Sequence, residues 1–279
     1  MRVVTTRAAL AEGLADLAGT RALVMTMGAL HEGHLTLVRR ARDLADHVVV
    51  SIYVNPLQFG PNEDFASYPR DLEGDLALLE PEGVALVLAP TDAEMYPREP
   101  LVRIDPGPVA RILEGRTRPG HFAGVLQVVH KVLNLTAPDV ALFGRKDAQQ
   151  LALVTTMVED LDMAVRIVPV DIVRDDDGVA RSSRNAYLDA GERVQARALS
   201  RALSAAAGAA GEGPDAAMAA ARAVLDGAEG VRLDYLVLVD PTTFTDLAPG
   251  AGTGLMAVAA WVGPTRLIDN ALLDFGGRT

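Results

Sequence analysis

The sequence predicts an α/β protein, with a doubly wound, Rossmann-like parallel sheet followed by a smaller C-terminal α+β domain. In the N-terminal part, short apolar runs typical of buried parallel strands alternate with helix-periodic segments. After about residue 187 the character changes, and Ala- and Arg-rich helical stretches precede three apolar, strand-like stretches. We therefore expect a Rossmann-like domain over residues 1–173 and a smaller domain over 174–279.

Each predicted element depends on its own pattern. Mostly apolar, strand-like runs predict strands at 21–26, 47–54, 83–90, 139–144 and 165–170. Helical periodicity places Leu35, Val38 and Ala41 on one face, and predicts further helices at 71–80, 122–135 and 147–160. In the second domain, helical patterns at 192–213 and 215–226 precede strand patterns at 232–240, 253–263 and 265–273.

The composition excludes several classes of function. The chain has 279 residues, no cysteine and a formal net charge of −11. Without cysteine there is no disulfide, no thiolate nucleophile and no iron–sulfur ligation. A nucleic-acid-binding protein would need a basic surface, so we expect no nucleic-acid partner. No signal pattern and no apolar run of membrane-spanning length is present, so we expect a cytoplasmic protein without a membrane partner.

Two of the five histidines, His31 and His34, flank a predicted strand-to-helix turn in "MGALHEGHLTLVRRA". The first backbone N–H groups of a helix and its dipole attract anions, and imidazoles there can donate to phosphate oxygens. The alternatives are a zinc pair or two surface histidines. "HEGH" is one residue shorter than the metalloprotease motif, and no third ligand is nearby in the sequence.

A long polar loop, "YVNPLQFGPNEDFASYPRDLEGD", follows the predicted strand at 47–54 and carries Asn55, Gln58 and Tyr68. Ligands of doubly wound sheets bind beyond the carboxyl ends of the strands, so these side chains are candidates for binding a small molecule. The alternative is an ordinary connecting loop.

A second strand-to-helix junction is "FGRKDAQQLALV". Gly144 allows close backbone approach, Lys146 can meet a phosphate, and Gln150 faces back toward the turn. Taken alone, Asp147 suits a helix N-cap and Lys146 suits a solvated surface.

The segment "DDDGVARSSRNAYL" predicts a turn followed by hydroxyl and guanidinium groups suited to a polyphosphate. The alternative is a helix cap by Ser182 or Ser183 with the arginines in solvent. "DDDG" lacks the spaced ligands and terminal glutamate of a calcium loop.

Taken in order, these motifs resemble those of the pantothenate synthetase (pantoate–β-alanine ligase) family, within the HxGH nucleotidylyltransferase superfamily. The resemblance rests on "MGALHEGHLTLVRRA", "SIYVNPLQFGPNEDFASYPRD", "FAGVLQVVHKVLNL", "FGRKDAQQL" and "DGVARSSRN", and more weakly on "LDYLVLVD" and "TRLIDN". It implies an ATP-dependent ligase that joins (R)-pantoate to β-alanine through pantoyl adenylate and releases AMP and pyrophosphate. It also implies Mg²⁺, a homodimer and a C-terminal domain that covers the active site.

The resemblance implies a role for each matching residue. His34 is the expected proton donor, and His31 and Lys146 are expected to act with it. The expected ATP-binding residues are Met27, Gly28, His31, His34, Gly144, Lys146, Asp147, Val173, Arg181, Ser182, Ser183 and Arg184. Gln58 and Gln150 match glutamines that hold pantoate, and Asn55 and Tyr68 are further candidates for binding pantoate or β-alanine. Asp75 is the one carboxylate nearby that matches the family's magnesium neighbourhood.

Four positions depart from the family pattern. The family usually reads GEKDYQQL where this chain has Arg145 and Ala148, and it has Met or Leu at Arg181. It commonly has an acidic residue at Gly74. For Arg181 we expect a backbone contact with ATP, with the side chain packed along the nucleotide or turned outward.

Three other functions are compatible with the sequence. One is an adenylyltransferase that releases a dinucleotide, which Gln58 and Gln150 disfavour because they suit a small hydroxy acid. Another is a tRNA-interacting synthetase-like module, which the acidic charge and the lack of an anticodon-binding extension disfavour. The third is a catalytically silent ATP-binding regulator.

Overall fold

The computed structural model describes residues 1–61 and 63–276. They form two compact units, one of residues 1–144 with 149–170, the other of residues 145–148 with the chain from 171 onward. The division of the chain into domains of residues 1–173 and 174–279 stays a prediction. Among the described residues, no helix is long and apolar enough to cross a membrane.

The first unit is built on a six-stranded sheet whose paired strands are all parallel. Its strands are β1 (Arg2–Val4), β2 (Arg21–Thr26), β3 (His47–Ile52), β4 (Leu86–Leu88), β5 (Val140–Gly144) and β6 (Arg166–Val170). The order β1-β4-β3-β2-β5-β6 confirms the predicted doubly wound sheet. The edge strand β1 was not predicted, because a three-residue strand is too short to show a pattern.

Helices cover both faces of this sheet. They are α1 (Arg7–Ala15), α2 (Glu32–Arg42), α3 (Leu72–Leu79), α4 (Asp92–Met95), α5 (Leu113–Thr117), α6 (His121–Thr136) and α7 (Ala148–Asp160). Successive strand residues point to opposite faces, so Leu23 of β2 joins the core that contains Phe122 of α6, while Val24 joins the core that contains Val38 of α2. Burial on both faces explains why the strands read as continuous apolar runs.

The strand order reverses between β2 and β5. The chain leaves β2 toward β3 on one side and later returns to place β5 on the other side of β2. The carboxyl ends of these two strands therefore form the switch point where ligands of such sheets bind. The segment that follows β2 contains Met27 to His34, and Gly144 ends β5.

The second unit is an α+β structure, as predicted. It contains α8 (Ala190–Ala209), α9 (Pro214–Asp226) and an antiparallel sheet, in the order β7-β8-β9, of β7 (Val231–Val239), β8 (Thr253–Val262) and β9 (Thr265–Asp274). Leu199 and Leu203 of α8 pack with Met256 and Val258 of β8 in its core. Short side chains on both helices, such as Ala202 and Ala221, allow close packing in that core.

Candidate active site

The turn between β2 and α2 is held in an unusual backbone conformation. Gly28 and Ala29 both have positive φ, at 84° and 50°. A Cβ at Gly28 would lie 2.9 Å from Asp75 Oδ2, so glycine is needed there for both conformation and space. Asp75 accepts hydrogen bonds from the backbone N–H groups of Leu30, at 2.7 Å, and Ala29, at 3.1 Å. Its buried carboxylate thus fixes the turn that precedes the histidines.

The two histidines cap α2. His31 Nδ1 accepts a hydrogen bond from the Gly33 N–H at 3.1 Å, and His34 Nδ1 accepts one from the His31 N–H at 3.3 Å. The rings lie with centroids 4.1 Å apart. A nitrogen that accepts carries no hydrogen, so the proton of each neutral ring is on Nε2. Capping therefore orients both imidazoles as Nε2–H donors at the positive end of the helix dipole.

Asp75 was expected in a magnesium neighbourhood. It is 3% exposed, and burial raises the pKa of its carboxyl although the Leu30 and Ala29 N–H groups oppose that shift. Among residues 1–61 and 63–276, no group of three or more His, Cys, Asp or Glu side chains could hold a metal ion. The contacts of Asp75 are therefore those of a residue that supports the turn, and its metal role stays a prediction.

Gln58 and Met27, predicted for different substrates, are in contact. Gln58 Nε2 lies 2.9 Å from Met27 Sδ, and Gln58 Oε1 accepts from Asn55 Nδ2 at 3.2 Å. Asn55 also donates to the Gly124 carbonyl at 3.0 Å, and its Oδ1 accepts from the Leu57 N–H and the Tyr96 hydroxyl. These bonds use both donors and both acceptor positions of the amide, so Asn55 acts here as the support of Gln58.

The loop that carries Gln58 is anchored to α6, which the sequence reasoning missed. A Cβ at Gly124 would lie 2.1 Å from the Leu57 carbonyl oxygen, so only glycine permits this backbone contact. His121 Nδ1 lies 2.8 Å from the Gln58 carbonyl oxygen, and Arg118 Nη1 lies 3.0 Å from His121 Nε2. A guanidinium can only donate, so Nε2 accepts and Nδ1–H donates to Gln58.

Glu63 completes this anchor through its ion pair with Arg118. Burial opposes the ionisation of Glu63, but the hydrogen bonds and the charge of the Arg118 guanidinium lower the pKa of its carboxyl. Nothing in the local sequence around these residues indicates the pairing, because Glu63 and Arg118 are far apart along the chain.

Tyr68, the third candidate of the loop, is buried against other aromatic residues. Its ring centroid lies 5.7 Å from that of Phe59, in an edge-on arrangement, and Phe59 also contacts Phe65. This packing gives the loop an apolar centre of its own. A contact of Tyr68 with a substrate stays a prediction.

The two adjacent glutamines of α7 have different surroundings. Gln149 is buried, accepts from the Glu114 N–H at 3.1 Å and donates to the carbonyls of Val109 and Ile112. Gln150 is partly buried in the first turn of α7. The structural role of Gln149 leaves Gln150 as the glutamine of this pair that we still predict to bind substrate.

In the second unit, Lys146 lies in a single 3₁₀ turn, Arg145–Asp147. Asn270 of β9 donates from Nδ2 to the carbonyls of Arg145 and Lys146, at 2.9 and 2.8 Å. Arg145 is one of the four positions that depart from the family pattern. Its side chain pairs with Asp171 at 3.0 Å. Asp147 Oδ1 lies 3.7 Å from Lys146 Nζ. Backbone and side chains thus hold the turn at several points.

The predicted ATP residues between Val173 and Arg184 lie on a hairpin. The Arg181 N–H donates to the Val173 carbonyl at 2.9 Å, and Gly178 takes a positive φ of 87° at the turn. Ser182 Oγ accepts from the Arg184 N–H at 3.3 Å and caps the 3₁₀ turn Ser183–Tyr187. Ser182 thus makes the cap that the alternative expected, but Arg181 is not left in solvent, and contact of these residues with ATP stays a prediction.

The Arg181 side chain lies against the acidic turn, and its packing along the nucleotide stays a prediction. Its Nε lies 2.6 Å from Asp175 Oδ1, so the guanidinium pairs with a carboxylate and is not simply turned into solvent. Arg193 of α8 joins Asp175 and Asp177, at 2.6 and 2.7 Å. The acidic turn that could pass for a calcium loop is instead neutralised by arginines.

Gly74, another position that departs from the family pattern, lies in the first turn of α3, next to the N-cap Asp71. Asp71 caps that helix by accepting from the Gly74 N–H at 2.9 Å, and a Cβ at Gly74 would lie 2.4 Å from Asp71 Oδ2. An acidic side chain at this position would require Asp71 to move.

A family model described as Pantoate-beta-alanine ligase matches residues 2–272. The chain belongs to this family. It is 55% identical to the pantothenate synthetase of Thermobifida fusca, over 97% of this chain and 95% of that protein. It is 56% identical to the pantothenate synthetase of Salinispora arenicola, over 96% of each chain. The family resemblance drawn from the motifs is thus confirmed.

Solved structures of the same family share the fold. Pantothenate synthetase from Thermus thermophilus superposes with a TM-score of 0.91 at 45% identity, covering 97% of this chain and 99% of that chain. A pantoate–β-alanine ligase from Francisella tularensis, solved in complex with β,γ-ATP and β-alanine, gives a TM-score of 0.80 at 31% identity, covering 98% and 97%.

Proposed function

We propose that the chain joins pantoate to β-alanine in two steps. In the first, a carboxylate oxygen of pantoate attacks the α-phosphorus of ATP, the bond from that phosphorus to the bridging oxygen breaks, and pyrophosphate leaves. In the second, the amine of β-alanine attacks the acyl carbon of pantoyl adenylate, AMP leaves, and the nitrogen loses a proton. Because the substrate carboxylate is itself the nucleophile, the protein has to supply only position and charge stabilisation.

The observation that carries this proposal is the capped histidine turn at the switch point of the sheet. His31 and His34 present Nε2–H donors at the N-terminus of α2, where a transferring phosphoryl group would gain most from them. Orientation by the cap is set before ATP arrives, so the donors need no rearrangement during the reaction. We assign His34 as the proton donor, which would pass its Nε2 proton to an oxygen of the departing pyrophosphate and regain one from water.

Binding roles follow for the other predicted residues. Gln58, which Asn55 and the His121 anchor hold in place, and Gln150 are proposed to bind the hydroxyls and carboxylate of pantoate. Lys146, Ser182, Ser183 and Arg184 are proposed to bind the triphosphate. Each of these residues is partly or fully buried and lies in a turn or at the start of a helix.

Magnesium has no protein cage in this proposal. Asp75, the expected ligand, uses both oxygens on backbone N–H groups, and the described part of the chain offers no cluster of three ligating side chains. We propose that any Mg²⁺ enters with the ATP phosphates, which commonly supply its oxygen ligands.

The exchange of labelled pyrophosphate into ATP tests the first step. With pantoate present and β-alanine absent, the purified protein should exchange label, because adenylation is reversible and needs no amine. Omission of pantoate should abolish the exchange. Exchange that requires a phosphorylated acceptor would favour the dinucleotide-forming adenylyltransferase, and no exchange with any acceptor would favour the silent regulator.

Two expectations about the cell and the assembly are also proposals. We propose a homodimer in the cytoplasm, as the family resemblance implies. Light scattering during gel filtration gives the mass of the assembly, and fractionation of the source cells gives its location.

A further inference from the structure

Asn270 of strand β9 departs from the alternation of buried and more open residues along the strand. Thr265, Leu267, Asp269 and Leu273 are buried at odd-numbered positions, as expected for one face of a strand. Even-numbered positions should be more open, yet Asn270 is only 6% exposed. An asparagine buried on the other face of a strand requires a partner there.

The partner of Asn270 is the backbone of the Lys146 turn. Both Nδ2 bonds, to the carbonyls of Arg145 and Lys146, fall within 2.9 Å. The amide group has two donor hydrogens, so each carbonyl takes one. The backbone of Asn270 is itself fixed, because its N–H donates to Asp269 Oδ1 at 2.8 Å.

Asp269 is in turn fixed by an ion pair. Arg174 reaches both of its oxygens, at 2.6 and 3.0 Å, and also donates to the Gly178 carbonyl. Asp269 is 3% exposed, so the carboxylate of this pair is shielded from solvent, while the Arg174 side chain is 31% exposed. Asn270, which holds the Lys146 turn, is therefore itself held through Asp269 and Arg174.

We infer that Asn270 is a positioning residue. By holding the backbone of the Arg145–Asp147 turn, it sets the position and direction of the Lys146 side chain for adenylation. The inference rests on the proposed function, in which Lys146 meets the ATP phosphates. A turn of three residues has few internal hydrogen bonds, so its external contacts decide where the Lys146 side chain starts. Displacement of a binding group by about 1 Å can reduce a rate by about 100-fold.

Asn270→Asp tests the inference with little change in shape. A carboxylate oxygen would face two carbonyl oxygens and repel them, so the turn should move. We expect pantoate-dependent pyrophosphate exchange to fall by about 10- to 100-fold. The reaction of β-alanine with preformed pantoyl adenylate should be nearly unchanged, because pyrophosphate has already left. Asn134→Asp, on the exposed side of α6, is the matched control and should behave as the wild type.

A double-mutant cycle with Lys146→Ala distinguishes action through Lys146 from general damage. If Asn270 acts through Lys146, Asn270→Asp should cause little further loss in a Lys146→Ala background. Asn270→Ser, which is uncharged and too short to reach both carbonyls, gives the same test if the Asp variant does not fold.

Losses that multiply in the double variant would overturn the inference, and so would equal losses in both half-reactions. Wild-type exchange with an unimpaired Asn270→Ser variant would also overturn it while leaving the proposed function intact. No exchange by the wild-type protein would overturn the proposed function and this inference together.

Discussion

Two of the three segments predicted to bind ATP are stabilised by carboxylates in opposite ways. In the turn before α2, the buried Asp75 accepts backbone N–H groups of Ala29 and Leu30. In the hairpin from Val173 to Arg184, the partly exposed Asp175 and Asp177 pair with arginine side chains. One carboxylate therefore sets a backbone shape, while the other two neutralise cations.

The pKa values of Asp75 and Asp177 are shifted in opposite directions. Burial raises the pKa of Asp75, whereas the hydrogen bond and charge of Arg193 lower the pKa of Asp177. The comparison shows that the partners of an aspartate determine how it contributes to a binding segment. It also gives four ways to test the account, from the largest expected effect to the smallest.

Removal of the His34 imidazole should have the largest effect on the reaction. His34→Ala should lose about 2–4 kcal/mol of transition-state stabilisation, as for the removal of one preorganised donor. His34→Gln should lose a similar amount of activity, although a glutamine at this position can restore the cap on the His31 N–H. Steady-state kcat/KM of both variants measures the contribution of the imidazole to the reaction, and their thermal unfolding measures its contribution as a cap.

His130→Ala, in the middle of α6, is the control for loss of an imidazole and should retain activity. If His34→Gln keeps near-normal turnover at saturating ATP, the imidazole serves only as a cap.

Asp75→Asn should weaken the turn before α2. The amide keeps one acceptor but presents an NH₂ group to the other backbone N–H, and a buried unsatisfied donor costs about 1–3 kcal/mol. We expect a lower free energy of unfolding in urea and a lower kcat, since His31 and His34 follow this turn. An unchanged kcat would show that the turn does not depend on Asp75 for its shape.

Asp75→Asn and Asp177→Asn should respond to pH with opposite signs. The raised pKa of Asp75 means that the folded state holds its proton more tightly, so the contribution of Asp75 grows as the pH falls through that pKa. The lowered pKa of Asp177 means that its contribution is present above the ordinary pKa and is lost as the pH falls through the lowered pKa.

Urea unfolding of the wild type and both variants between neutral and acidic pH measures this difference. Both substitutions remove one negative charge, so each is the control for the other. On acidification the gap between the wild type and Asp177→Asn should close, and the gap for Asp75→Asn should widen. Parallel changes would contradict the comparison.

Arg181→Met should have the smallest effect. Asp175 already neutralises this arginine, and Arg193 continues to pair with Asp175 when Arg181 is removed. We expect KM for ATP to change by less than about tenfold, or about 1.4 kcal/mol, with kcat nearly unaltered. A larger loss that depends steeply on ionic strength would instead indicate direct contact of Arg181 with a phosphate.

Local patterns predicted the elements and the chemistry-bearing turns. The apolar run at 21–26 became β2 with the same bounds, and the turn with His31 and His34 lies where the strand and helix patterns meet. Gly28 was predicted only as part of a motif. The structure explains why the residue is glycine, because its φ is positive and Asp75 lies close to it.

The supporting contacts could not be predicted in this way. Asn270 holds a turn more than a hundred residues away, and Asp75 holds one 45 residues away. Neither pairing leaves a local pattern, because any donor or acceptor that the fold brings to the same place would serve. The one available signal was an aspartate and an asparagine side by side in the apolar run "TRLIDNALL".

The central claim is that the pantoate carboxylate attacks the α-phosphorus of ATP. Pantoate labelled with ¹⁸O in its carboxylate should be supplied with ATP and β-alanine, and the AMP that forms should be analysed by mass spectrometry. The account predicts that one labelled oxygen is transferred to AMP, because the carboxylate oxygen that forms the bond to phosphorus leaves with it. AMP without the label, or ADP with inorganic phosphate as the products, would contradict the adenylate mechanism.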